Sequence, residues 1–66
     1  MHITVNGESR AVRDDITALE LLEDLGLQSD ATVVERNGTS LERATFGAAV
    51  LSEGDTIELV RFVGGG

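Results

Sequence analysis

Glu53-Gly54-Asp55-Thr56-Ile57-Glu58-Leu59-Val60-Arg61-Phe62-Val63-Gly64-Gly65-Gly66 is the stretch on which the reading of this chain turns. Glu53-Gly54-Asp55 forms a turn signal, and Thr56 to Val63 is the longest strand signal in the sequence, rich in β-branched and aromatic residues. Side chains alternate across a strand, so if Ile57 and Leu59 face a core, then Glu58, Val60 and Phe62 face away from it. Three glycines follow directly, with no polar spacer.

Working back from that strand, Glu42 to Ser52 shows no clean period and reads as a turn-rich linker in which Phe46 and Leu51 plug the core. Thr32 to Arg36 reads as a strand, followed by an Asn37-Gly38 hairpin turn and a short strand near Ser40-Leu41. Gln28-Ser29-Asp30 is a polar link. Ile16-Thr17-Ala18-Leu19-Glu20-Leu21 starts a helix: Thr17 caps it, Glu20 answers three residues later, and Ile16 packs on Leu21. Leu19, Leu21, Leu22 and Leu25 make an apolar stripe, while Glu20, Glu23 and Asp24 line the outer side. Gly26 stops the helix, with Leu27 folding back on Leu22, so the element spans Thr17 to Leu25.

At the start of the chain, Met1, Ile3 and Val5 alternate with His2, Thr4 and Asn6 as a half-buried strand does. Asn6-Gly7 suits a type I′ turn, and Glu8 to Arg13 returns as its partner. Hairpin, helix, short strands and long final strand together imply an α+β fold of the β-grasp, ubiquitin-like kind: a mixed sheet of four to five strands covered by one main helix. Residues 1–63 are expected to form that domain, and residues 64–66 a flexible glycine tail.

Composition narrows the function. The chain has 66 residues, room for one domain, and one this small buries only about 60% of its unfolded surface, which leaves little depth for a catalytic cleft. It contains no cysteine, so disulfides, thiolate metal sites and a thiol nucleophile are excluded. Five basic residues, all arginine, stand against twelve acids for a formal charge of −7, which repels nucleic acid backbones. No basic segment precedes an apolar run and no stretch nears 18 apolar residues, so a cytoplasmic protein that neither spans a membrane nor is exported is expected, monomeric when alone.

A conventional enzyme needs a nucleophile, a base and something to orient them, or a metal with several ligands. His2 is the only histidine and lies on the outward side of its strand, with nothing adjacent to complete a triad. Asp14-Asp15 suits the positive end of a following helix better than a cation, since no ligand spacing accompanies it. The terminal glycines precede no helix and form no phosphate-binding loop. No catalytic residue, metal site or bound cofactor is therefore expected.

The remaining chemistry is the carboxylate of Gly66. Extended, three glycines reach about 10 Å without presenting a side chain, so such a tail enters a narrow slot. Ordering it costs roughly 3 to 6 kcal/mol. Burial of an exposed Val or Phe contributes about 1.5 to 3 kcal/mol, so Val60 and Phe62, beside Glu58, can offset that cost by docking on a partner. A carboxylate anion resists nucleophiles until activated, and reaction with ATP on a separate enzyme, giving an acyl-adenylate, would supply the activation.

Over residues 1–66 the chain resembles the ubiquitin-like sulfur carriers, most closely the ThiS family of thiamine biosynthesis. The likeness is carried by Gly54-Asp55, the strand Thr56 to Val63 and the glycine end, with the hairpin, helix and Asn37-Gly38 turn in the same order. The resemblance implies that Gly66 is adenylated by a ThiF-type enzyme using ATP and a sulfur donor, becomes a thiocarboxylate, and gives its sulfur to thiazole synthase, with Gly64 and Gly65 as the tail. Leu41 to Phe46 matches the family loosely, and the tail has one additional glycine. Related alternatives are a molybdopterin synthase small subunit, which often has proline before its glycines, or another biosynthetic or tRNA sulfur carrier. A ubiquitin-like protein modifier and a plain interaction module complete the set of readings.

Overall fold

The computed structural model describes residues 1–62. In chain order its elements are β1 (His2–Val5), β2 (Glu8–Ala11), α1 (Ala18–Asp24), β3 (Thr32–Arg36), β4 (Thr39–Ser40) and β5 (Thr56–Arg61), with single 3₁₀ turns at Ser29–Ala31 and Arg43–Thr45. The five strands form one mixed sheet in the order β2-β1-β5-β3-β4. β5 is central, parallel to β1 and antiparallel to β3, and α1 covers one face. This is the expected α+β arrangement, with five strands, within the four to five expected.

Both Asn-Gly turns adopt the backbone that type I′ requires, with φ of 49° and 84° at Asn6-Gly7 and 51° and 85° at Asn37-Gly38. Each asparagine has a second task. The Asn6 Oδ1 accepts the Leu59 N–H at 2.8 Å, and the Asn37 Oδ1 accepts the Thr56 N–H at 2.9 Å. Two donors of the central strand are thus satisfied where the neighbouring hairpins turn away.

The helix begins and ends as its sequence dictates. Thr17 Oγ1 accepts the Glu20 N–H at 3.1 Å, and Glu20 Oε1 accepts the Thr17 N–H at 2.9 Å, a complete capping box. At the other end Gly26 has φ of 72°, its N–H meets the Glu23 carbonyl, and the Leu27 N–H reaches the Leu22 carbonyl at 2.9 Å. That pair of bonds is the Schellman motif. Ala18, Leu21 and Leu22 are buried against Ile3, Val5, Val34 and Ile57 of the sheet.

Residues 42–52 do more than link. Phe46 and Leu51 are buried as expected. In addition, the carbonyls of Ala49 and Phe46 accept the Ala18 and Leu19 N–H groups at 2.9 and 3.1 Å, and Leu51 N–H meets the Ile16 carbonyl. The first turn of a helix leaves amide donors without intrahelical partners, and this segment supplies them. It has no period because it serves as a backbone cap around two plugs, not as a regular element.

Several boundaries differ from the sequence expectation. β2 ends at Ala11, not Arg13, because Arg13 leaves the sheet to pair with Asp24 at 2.7 Å and Glu20 at 3.9 Å across α1. β4 covers Thr39–Ser40, one residue earlier than Ser40-Leu41. β5 ends at Arg61, since β3 begins at Thr32 and offers no strand beyond it. The expected boundary between Val63 and Gly64 lies outside the described residues.

The start of β5 is held by Asp55, a residue only 7% exposed. Its Oδ2 accepts from Arg36 Nε at 2.9 Å and Ser52 N–H at 2.8 Å, and its Oδ1 accepts from Asn37 Nδ2 at 3.0 Å. Its backbone carbonyl takes the Thr4 N–H at 2.9 Å. One residue therefore joins the β3–β4 hairpin, the turn before β5 and the edge of β1. Burial pushes this carboxyl up, but hydrogen bonds from Asn37 and Ser52 and the Arg36 guanidinium more than offset it, so the group titrates below its ordinary 3.8.

A folded-state pKa below the unfolded value means that the unfolded chain binds the proton more readily. The stabilisation is complete above the ordinary value and is lost as pH falls through the lowered one. Urea unfolding of Asp55→Asn should therefore show a shallower loss of stability than the parent between about pH 5 and pH 2. The two turns should also respond unequally. Asn37→Asp sets a second carboxylate against Asp55 and should cost about 2 kcal/mol in the same assay, whereas Asn6→Asp keeps its acceptor and should change stability by less than about 0.5 kcal/mol.

Candidate functional site

The site expected from sequence is the outer side of β5 leading to the glycines. β5 alternates as predicted: Ile57 is fully buried and Leu59 half-buried, while Glu58, Val60 and Phe62 are exposed. Val60 is 58% and Phe62 55% exposed, which with Val50 makes them the large apolar side chains most open to solvent among the described residues. Val60 stands opposite Val33, and Glu58 opposite Glu35, in register with β3.

The strand is held up to its last described residue. The Phe62 N–H donates to the Ala31 carbonyl at 2.8 Å, just before β3 begins. A shallow recess of about 300 Å³ beside it is lined by Gly26, Leu27, Gln28, Ala31, Thr32 and Arg61. A larger recess of about 590 Å³ lies between the β1–β2 hairpin and the end of α1, where Leu25, Leu27 and Leu59 form its apolar wall. The smaller one adjoins the strand end that leads to the tail, so it bears more directly on the site. Gly64, Gly65 and Gly66, the proposed tail and sulfur acceptor, lie outside the described residues.

Other candidates weighed in the sequence occupy structural places. His2 is exposed on β1, and its backbone N–H donates to Glu53 Oε1 at 3.0 Å. Asp14 pairs with the amino terminus of Met1 at 3.2 Å, which fastens the start of the chain beside the turn into α1. Among the described residues no group of three histidine or acidic side chains is placed to hold a metal. No helix among them is long and apolar enough to cross a membrane.

Sequence reasoning missed the Asp55 cluster. From sequence alone Asp55 is a turn residue, and Arg36 and Asn37 are parts of a strand and a hairpin. The available signal was an acid beside a glycine turn and an Arg-Asn pair at another turn, residues that become neighbours only when β3 pairs with β5.

Comparison with known proteins places these features in a lineage. Residues 3–66 match the model of the ThiS family. The chain superposes on the crystal structure of the thiamine biosynthesis protein ThiS from Geobacter metallireducens with a TM-score of 0.86 and 39% identity, covering all of both chains. A solution structure of a thiamine biosynthesis protein from the same organism gives a TM-score of 0.80 at 39% identity, covering all of this chain and 88% of that one. Among curated proteins, thiazole synthases from Magnetococcus marinus and Paramagnetospirillum magneticum are 44% and 35% identical over 66 residues. The chain spans 20% of the length of each of those relatives. Fold, motif order and family match agree, and the chain belongs to the ThiS family.

Proposed function

We propose that this chain carries sulfur on the carboxyl group of Gly66 and acts as a protein cosubstrate, not as a catalyst. A carboxylate oxygen attacks the α-phosphorus of ATP on a ThiF-type enzyme, pyrophosphate leaves, and the resulting acyl-adenylate is open to nucleophiles. A sulfide-level donor then displaces AMP, leaving a thiocarboxylate. Thiazole synthase takes that sulfur. The ATP site, its metal and the cations that stabilise the transferring phosphate belong to the partner.

The observation that carries this reading is the position of β5. It is the central strand, bonded on both sides and held through Phe62, and it runs out of the sheet directly toward the glycines. Val60 and Phe62 stand exposed on that approach. The domain thus offers a fixed root and an apolar docking surface beside a tail without side chains. Support for the synthase as recipient comes from the relatives named thiazole synthase, whose chains include a segment matching this whole domain. A cytoplasmic location belongs to the same reading.

Incubation with a cognate activating enzyme, ATP and a sulfur donor should raise the intact mass of the chain by one oxygen-to-sulfur exchange. An unchanged mass, or higher-mass conjugates that survive reductant, would count against the carrier role. A tag fused after Gly66 should abolish the exchange, whereas a tag before Met1 should leave it intact. Phe62→Ala should weaken binding to the activating enzyme by about tenfold or more, from loss of buried aromatic surface. Its thermal stability should stay within about 0.5 kcal/mol of the parent, because the ring is exposed in the free domain.

A further inference from the structure

The sheet face turned away from α1 carries a second feature beside the exposed apolar residues. Glu35 of β3 stands directly opposite Glu58 of β5, and both are exposed. Directly opposed residues of antiparallel strands hold their Cβ atoms about 4.5 to 5.5 Å apart, and like charges in that position destabilise the pair. Among the described residues neither carboxylate has an ion-pair partner. The two arginines of these strands alternate onto the other side: Arg36 is opposite buried Ile57, and Arg61 is opposite buried Thr32. Arg36 is moreover engaged by Asp55.

Two residues further along the same face, a rise of about 7 Å, lies the Val33 and Val60 pair, and Phe62 follows. The surface therefore reads, toward the tail, as a doubled negative charge and then an apolar strip. A second copy of this chain fits it poorly, because two such faces pressed together would bring four carboxylates into one desolvated contact. A partner with a single cation beside apolar surface fits both halves at once.

We infer that the outer face of β3 and β5 is a docking surface for a thiazole synthase that places one arginine or lysine between Glu35 and Glu58 and apolar surface over Val33 and Val60. This rests on the proposed function for the identity of the partner. The repulsion between the two carboxylates is retained in the free domain and relieved on binding. The cation also sets register: Gly66 lies eight residues beyond Glu58, so it reaches at most about 26 to 29 Å from the bound charge.

The test combines stability and binding, using the unmodified chain and the thiazole synthase of the same organism, with Glu35→Gln, Glu58→Gln and the double variant. Each single variant should raise the melting temperature by about 2 to 4 °C, and the double variant should add almost nothing further, because the repulsion needs both charges. The same single variants should weaken the Kd for the synthase by about fivefold to tenfold at low salt, with the loss shrinking toward twofold in 0.5 M salt. Stability up and binding down is the signature. Absence of binding by the parent chain, unchanged binding by the variants, a fall in melting temperature, or self-association strengthened by the substitutions would each overturn the inference. These measurements involve no sulfur chemistry. Failure of the mass exchange therefore removes the carrier role without touching them, and normal exchange with unchanged binding removes only this docking face.

Discussion

The carboxylate of Asp55 is the point from which the central strand of the molecule is organised. It lies on none of the strands it joins, yet its three side-chain hydrogen bonds reach Arg36, Asn37 and Ser52, and its carbonyl holds Thr4. A buried charge is costly unless it is paired and hydrogen-bonded, and here its lone pairs are largely taken. Those bonds fix where β5 enters the sheet, and the alternation of a strand then fixes which side chains face outward all the way to Phe62. A slip of one residue would exchange Ile57 and Leu59 for Glu58 and Val60 in the core.

Two kinds of glue share the remaining work. The apolar core of Ile3, Val5, Ile16, Leu21, Leu22, Val34, Phe46, Leu51 and Ile57 supplies the nonspecific drive to collapse. Specificity comes from backbone donors that lack ladder partners and find them locally: Leu59 and Thr56 on the two turn asparagines, and Ala18 and Leu19 on residues 46 and 49. No buried side-chain nitrogen or oxygen among the described residues is left without a hydrogen bond. In a chain with no disulfide, such complete pairing is what keeps a small core in a single arrangement.

Local signals were legible in the sequence and distant ones were not. The capping box at Thr17 and Glu20, the stop at Gly26, both Asn-Gly turns and the facing of Ile57 against Val60 and Phe62 depend on residues within a few positions of one another. The plugs Phe46 and Leu51 could be read from hydrophobicity alone. By contrast, the Asp55 cluster, the side-chain acceptors Asn6 and Asn37, and the capping of α1 by residues 46–49 depend on pairings across the chain, which no periodicity announces. The Glu35 and Glu58 opposition belongs with these, because cross-strand register is set by the whole sheet.

The central, parallel placement of β5 beside β1 has a mechanical side. Traction applied at the carboxyl end and resisted near Met1 runs along both strands, so the load falls in shear on the ladder bonds of β1 and β3 together instead of peeling them one at a time. Tension on the end of β5 is thus shared by two ladders at once, and the sheet yields only when both give way together.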